Sequence, residues 1–200
     1  ITWNTLYEKV CKFSNYLKKL NLKKGDRVAA YVPNKIENII SFLACAKNGI
    51  IWSSCSPDFG VQGVVDRFKQ IEPRVLITSD YYFYNGKKIN ILEKVDEVLK
   101  QISSIEKVIV YNYDEKEKES LKNFVNFKET LKVDLDESFE RFEFNHPIYI
   151  LFSSGTTGKP KCITHGAGNV LIEHNKEFML HCDIRDNEKL FYYTTTGWMM

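Results

Sequence analysis

The stretch of the chain best equipped for chemistry is Ser153-Ser154-Gly155-Thr156-Thr157-Gly158-Lys159-Pro160-Lys161, in which four hydroxyls and two lysines surround two glycines. Glycines let a backbone turn so that successive N–H groups face one concavity, hydroxyls add neutral donors, and lysines add positive charge. A loop of this kind suits a polyphosphate. It is not a Walker loop, whose glycines stand farther apart and whose lysine is followed by Ser or Thr, because Pro160 follows Lys159 here. The proline also blocks helix formation directly after the loop, which sets aside anion binding at a helix N-terminus. On composition alone, an ordinary hairpin turn rich in Gly, Ser and Thr stands as the alternative to a phosphate cradle.

Other reactive side chains are scattered. Cys162-x-x-His165 and His181-Cys182 offer four soft ligands, but their spacing matches no zinc pattern, so no metal ligands are assigned. His146 and His174 carry no signal. Cys11 and Cys45 fall on apolar helix faces, where buried thiols are usual.

The loop needs elements to hold it, and hydrophobic spacing predicts them. Leu6, Val10, Phe13, Leu17 and Leu20 mark an amphipathic helix, with Thr5-x-x-Glu8 resembling a capping box. Val28 to Val32 reads as a buried strand ended by Pro33, and Ile36, Ile39, Ile40, Leu43 and Ala44 as a second helix that stops at Gly49. Ile50 to Ser53 is strand-like; Val61, Val64, Val65, Phe68 and Ile71 make a third helix closed before Pro73; Val75 to Thr78 is the next strand. A helix around Ile89 to Ile102 and a strand Lys107 to Tyr111 follow. Apolar Pro147 to Phe152 then feeds the loop, and Cys162 to His165 returns to strand-like residues.

Short strands alternating with helices predict an α/β fold with layered, parallel-rich sheets flanked by helices. The alternating charges of Asp114 to Glu119 read as a solvated segment. The expected organisation is a first α/β subdomain over residues 1–112, a polar connection over 113–145, and the start of a second subdomain over 146–200.

Composition sets outer bounds. Of the 200 residues, 44% are hydrophobic and 14% aromatic, too many for a disordered chain. Lys plus Arg total 28 against 26 Asp plus Glu, a net charge of +2 that argues against nucleic acid as a partner. Apolar runs such as Ile148 to Phe152 fall well short of the roughly 20 residues a membrane helix needs. The five scattered cysteines contain no Cys-x-x-Cys pair, which points to reduced thiols and the cytosol. A first residue that is not Met and an abrupt close on Met199-Met200 lead us to expect a piece of a longer chain.

The wording of the loop, Ser153-Ser-Gly-Thr-Thr-Gly-x-Pro-Lys161, resembles the phosphate-loop signature of the adenylate-forming acyl-CoA synthetase superfamily. The resemblance extends along nearly the whole chain, through Lys24-Gly25-Asp26-Arg27-Val28 and Ala46-Lys47-Asn48-Gly49-Ile50. Trp52 to Gly60, Asp66-Arg67-Phe68, Tyr84-Asn85-Gly86-Lys87, Pro160 to His165 and Tyr193 to Met200 are similar to the acetoacetyl-CoA synthetase branch. Acetyl-CoA synthetases usually carry Gly where Cys162 stands, and an Asp-x-Gly-Trp where this chain has Thr195-Thr196-Gly197-Trp198.

The resemblance implies an ATP-dependent ligase in which a carboxylate is activated as an acyl-adenylate and then transferred to CoA. ATP, Mg²⁺ and CoA are the implied cofactors or co-substrates, with acetoacetate as the acid. Ser153, Ser154, Gly155, Thr156, Thr157, Gly158, Lys159 and Lys161 match positions that enclose the β- and γ-phosphates, with Thr156 and Lys161 in catalytic roles. Gly197, Trp198 and Met199 match a segment of the acyl pocket; a tryptophan packed in the core is the alternative reading of Trp198. Ser56-Pro57-Asp58 and Lys87 fall near positions where relatives approach the CoA nucleotide. His165 matches a histidine near the substrate channel, with either a base or a supporting role.

The implied partners are small molecules, with no nucleic acid, membrane or obligate protein partner. Acetyl-CoA or other short-chain acyl-CoA synthesis, or a non-catalytic nucleotide-binding fragment, are the alternatives. The superfamily's adenine segment, ribose-binding aspartate, hinge and mobile-domain lysine are expected beyond residue 200, so the isolated chain is expected to be inactive.

Overall fold

A computed structural model describes residues 1–114, 124–153, 158–195 and 197–198. Its main feature is a seven-stranded sheet in the order β7-β6-β3-β1-β2-β8-β9. The strands are Arg27–Tyr31 (β1), Ile51–Cys55 (β2), Val75–Ser79 (β3), Lys107–Tyr111 (β6), Val125–Asn126 (β7), Pro147–Ser153 (β8) and Lys161–Gly166 (β9). All neighbouring pairs are parallel except β8 and β9, which are antiparallel. Tyr81–Tyr84 (β4) and Lys87–Asn90 (β5) form a separate antiparallel hairpin.

Side chains on a strand alternate between its faces, so each buried strand feeds two cores. On one face, Val28, Ala30, Val32, Val75, Ile77 and Ile109 pack with Phe13 and Leu17 of α1 (Trp3–Lys19) and Ile40 and Ala44 of α2 (Ile36–Lys47). On the other, Ala29, Tyr31, Leu76, Val108 and Val110 meet Val64, Val65 and Phe68 of α3 (Val61–Ile71) and Val95 and Val98 of α4 (Leu92–Leu99). This is the helix-covered parallel sheet expected from the strand and helix rhythm.

Three local expectations change. The first helix begins at Trp3, capped by Thr2, whose hydroxyl accepts the Thr5 N–H; Thr5 lies inside the helix, so the Thr5/Glu8 capping box does not form. Glu8 instead pairs with Lys12 one turn on, at 2.6 Å. The helix expected from Ile89 starts at Leu92, because Lys87–Asn90 is drawn into the hairpin with Tyr81–Tyr84.

The polar connection is the third. It contains β7 and a short helix, α5 (Phe127–Thr130), and Phe127 is buried with its ring centroid 5.0 Å from that of Phe13. Beyond α5 the chain straps across α1 and α2: Lys18 binds Asp136 at 2.8 Å, Phe139 lies under the Lys47 ammonium, and Phe142 stacks on His146. Gly49 (φ +64°) closes α2 where Phe142 presses in; a Cβ there would lie 2.6 Å from that ring, so both conformation and space call for glycine. Polar residues face solvent along this strap, but its few aromatics anchor it, which charge patterning alone does not reveal.

The strap leads directly into β8, which joins the same sheet beside β2. Trp52 and Tyr149 are register partners, and the Ser53 hydroxyl donates to the Ile150 carbonyl at 2.8 Å. After β9 come α6 (Ala167–Lys176) and a π-helical turn Glu177–His181. Among the described residues no helix is long and apolar enough to cross a membrane.

Candidate active site

In open α/β sheets ligands gather outside the carboxyl ends of the parallel strands, because the loops that leave those ends converge there. In this chain the same edge collects several of the segments singled out from the sequence. The predicted phosphate loop leaves the end of β8. Ser56-Pro57-Asp58 follows β2, and the β4–β5 hairpin follows β3. Gly197 lies against the end of β2.

The two stems of the predicted phosphate loop are paired strands. Ser153 stands opposite Lys161 and Phe152 opposite Cys162 in an antiparallel ladder, so the Ser153 and Lys161 ends converge on one spot. Ser154, Gly155, Thr156 and Thr157 lie outside the described residues. Gly158 has no heavy atom within 4 Å of the place a Cβ would occupy, and Lys159 and Lys161 are exposed. The stem thus presents two ammonium groups and a serine hydroxyl at an open sheet edge, which is the local chemistry an anion needs.

Helix α3 touches both stems. The Arg67 guanidinium lies 4.3 Å from the Phe59 ring centroid and 6.0 Å from that of Phe152, and its Nη1 donates to the Gly63 carbonyl at 2.8 Å. One turn along, Gln70 Nε2 donates to the Pro160 carbonyl at 2.9 Å, while Gln70 Oε1 accepts from Cys162 Sγ at 3.5 Å. Sequence reading missed this bracket: the available signal was that residues 67 and 70 share one helix face, but nothing local says what that face meets.

The segment matched to the acyl pocket is also docked. Asn34 Nδ2 donates to the Thr194 carbonyl at 2.5 Å, and the Trp198 N–H turns back to the Thr195 carbonyl at 3.1 Å. Gly197 sits against the β2 end; a Cβ on it would meet the Ser56 nitrogen at 2.6 Å and the Cys55 carbonyl carbon at 3.1 Å. Trp198 is 59% exposed, so it is not a core side chain, and Met199 lies outside the described residues. Asn34 was not anticipated either; its partner is 160 residues away.

The neighbouring Ser56–Asp58 turn is held from below by Tyr31, whose buried hydroxyl reaches the carbonyls of Pro57 and Phe59; burial lifts that phenol well above its ordinary range. The Ser56 hydroxyl donates to Asp58 at 2.9 Å. Tyr82 of the hairpin is pushed up to about 12 by burial and by its contact with the Asp58 carboxylate, so the hairpin and the turn are coupled. Lys87 stands exposed on the hairpin.

His165 is elsewhere. It lies on β9 four residues beyond Lys161, roughly 13 Å along an extended strand, and its ring packs 4.8 Å from that of Tyr149. Its Nδ1 is shielded and has no hydrogen-bond partner among the described residues, and it faces a cleft shared with Asn169 and Glu173 of α6. His165 therefore stands apart from Ser153 and Lys161, the described ends of the loop. Cys162 pairs with Gln70 rather than with His181 or Cys182, and no cluster of His, Cys, Asp and Glu able to hold a metal occurs among the described residues.

The family model for AMP-binding enzymes matches residues 1–200. The chain belongs to this family. Among curated relatives of this AMP-binding enzyme, it is 46% identical to an acetoacetyl-coenzyme A synthetase from Rhizobium meliloti and 41% identical to an acetoacetyl-CoA synthetase from Gallus gallus. Each match covers 100% of this chain and 31% of the relative. It is also 39% identical to a malonamoyl-CoA synthetase from Penicillium aethiopicum, over 100% of this chain and 29% of that protein. The solved structure of an acetoacetyl-CoA synthetase from Streptomyces lividans superposes with a TM-score of 0.94 at 38% identity, covering 100% of this chain and 30% of that one. The chain thus spans about a third of the length of its relatives and reproduces the backbone of one of them closely.

Proposed function

We propose that this chain is the nucleotide-phosphate-binding portion of an ATP-dependent ligase that joins acetoacetate to CoA. A carboxylate resists attack by a thiol because it is anionic and would have to expel oxide. In the proposed first step a carboxylate oxygen attacks the α-phosphorus of ATP, and the bond to the bridging oxygen breaks, so pyrophosphate departs with the electron pair. In the second, the CoA sulfur attacks the acyl carbon, the bond to AMP breaks, and the thiol proton is released.

The chain's contribution to this chemistry is positioning and charge. Negative charge builds on the departing pyrophosphate, and fixed donors aimed at that charge stabilise the transition state more than the ground state. Ser153, Ser154, Gly155, Thr156, Thr157 and Gly158 enclose the β- and γ-phosphates, Lys159 and Lys161 neutralise them, and Thr156 and Lys161 are the catalytic members. The described stem residues, Ser153 and 158–161, carry hydroxyl and ammonium groups and no carboxylate, which fits a Mg²⁺ ligated mainly by phosphate and water oxygens. When bound, that ion supplies further neutralisation of the phosphates. Gly197, Trp198 and Met199 wall the acyl pocket, and the reaction belongs to the cytosol.

The observation that carries this reading is the convergence of Ser153 and Lys161 at the carboxyl edge of the sheet, with Gly197 docked on the end of the neighbouring strand. The malonamoyl-CoA synthetase relative favours a broader second reading: acetoacetate and malonamate share a carbonyl β to the carboxylate, so the pocket selects that pattern rather than one acid.

The test is acid-dependent exchange of pyrophosphate into ATP by the full-length protein. Acetoacetate is expected to give the strongest signal, with acetate and butyrate weak. Strong exchange with acetate or butyrate and none with acetoacetate overturns the substrate assignment; no exchange with any acid overturns the ligase.

A further inference from the structure

The Asp66-Arg67-Phe68 motif in α3 has no part in the chemistry just described, yet its helix contacts both strands that carry the phosphate loop. Phe68 is fully buried against the sheet, which fixes the helix in place. Asp66 is tied within the helix, its carboxylate accepting from Gln62 at 2.7 Å and its carbonyl accepting from Gln70 at 2.6 Å. These internal bonds hold the side chain of Gln70 toward the loop rather than leaving it free in solvent.

From this anchored helix, Arg67 and Gln70 project one turn apart. Arg67 lies between the Phe59 and Phe152 rings, at the incoming stem. Gln70 spans the outgoing stem, donating to Pro160 and accepting from Cys162. Pro160 has no N–H of its own and does not belong to the β8–β9 ladder, so its carbonyl bond to Gln70 holds backbone that the sheet does not. Lys161 begins the ladder beyond it, opposite Ser153, and Cys162 follows, facing Phe152 across the strands. The two contacts of Gln70 therefore flank Lys161, where the strand pair ends, and hold the backbone that leads into it from Lys159.

We propose that α3 sets the geometry of the outgoing stem, residues 158–161, with Gln70 the positioning residue that holds the backbone of Lys159 and Lys161 for the β- and γ-phosphates of ATP. The ATP half of this statement rests on the ligase reading above; the mechanical half does not. Gln70 touches no phosphate itself. Its loss is expected to loosen residues 158–161 and so to weaken ATP selectively, without disturbing the acyl pocket on the far side of β2.

Two measurements on the full-length protein separate these elements. Gln70→Met keeps the length and helix propensity of the side chain but removes donor and acceptor. It is expected to speed backbone hydrogen exchange in segment 158–163 and to raise the KM for Mg·ATP roughly five- to tenfold, in line with one net hydrogen bond. The KM for acetoacetate should stay within about twofold, as expected of sites without shared partners. Gln70→Lys, which retains a donor for Pro160, should return both readouts close to wild type. Unchanged exchange in Gln70→Met overturns the proposal, and so does a rise in KM of equal size for ATP and acid. If the wild-type protein catalyses no acid-dependent exchange of pyrophosphate, the ligase reading fails, while the hydrogen-exchange comparison still decides whether Gln70 braces the loop.

Discussion

Gly197 lies directly against the backbone of Ser56, so that a single methyl group on Gly197 would stand 2.6 Å from the Ser56 nitrogen. The obstacle is main chain at the end of a buried strand, which cannot swing aside as a flexible side chain would. Through this contact Gly197 is seated on the end of β2, with Trp198 next to it in the chain.

The first prediction follows from that contact. Gly197→Ala should push the segment off β2, at a cost of about 1–3 kcal/mol, typical of overpacking against a rigid neighbour. In the full-length protein the KM for the acid should rise about tenfold, each 1.4 kcal/mol being a factor of ten. The KM for ATP should change little, because the phosphate-loop stems lie on the other side of β2. Steady-state kinetics with each substrate varied in turn checks this; equal loss for both substrates would mean that the contact supports the whole edge and not the acyl side.

A second prediction concerns the strap over α1 and α2. The Lys18 ammonium, followed by the hydroxyl and amide of Ser138, holds the Asp136 carboxyl far below its usual range. A carboxyl depressed in the folded state contributes stability above its unfolded pKa of about 3.9, and that contribution is lost as pH falls below it. The unfolded chain binds the extra proton there, so stability drops with acid. Urea unfolding midpoints should therefore fall more steeply between pH 5 and pH 3 for the wild-type protein than for Asp136→Asn. The difference should be modest, since the pair is partly exposed and screened by salt. Identical slopes in the two proteins would show that the strap is held by Phe139 and Phe142 alone.

Third, the five cysteines should divide by burial. Burial pushes the Cys55 thiol up to about 12, and it raises Cys45 and Cys11 as well, so all three stay neutral and shielded near pH 8. Cys162 and Cys182 are exposed, although partial burial also raises Cys162. Alkylation at pH 8 followed by peptide mapping should modify Cys182 first and Cys162 more slowly, and should reach Cys11, Cys45 and Cys55 only after unfolding. Early labelling of Cys45 or Cys55 would show that the sheet faces open more readily than their packing implies.

The sequence by itself determined the rhythm of the fold and singled out the candidate phosphate loop. Both are local: hydrophobic spacing reports which face of each helix is buried, and Ser153 to Lys161 carries its donors within nine consecutive residues. Where local signals failed, a distant partner had overruled them. The hairpin partner Tyr81–Tyr82 took Ile89 and Asn90 from the expected helix, and the Phe13 ring drew Phe127 out of a connection that reads as polar.

Only the tertiary structure decided which residues meet at the sheet edge. Gln70 reaches Pro160 across 90 positions, Asn34 reaches Thr194 across 160, and Gly197 rests on Ser56. It also set His165 apart from Lys161 along β9, because an extended strand carries each successive residue about 3.3 Å farther away. Periodicity tells which way a side chain points relative to its own element; what it meets depends on strand order and register, which are settled by packing across the whole sheet.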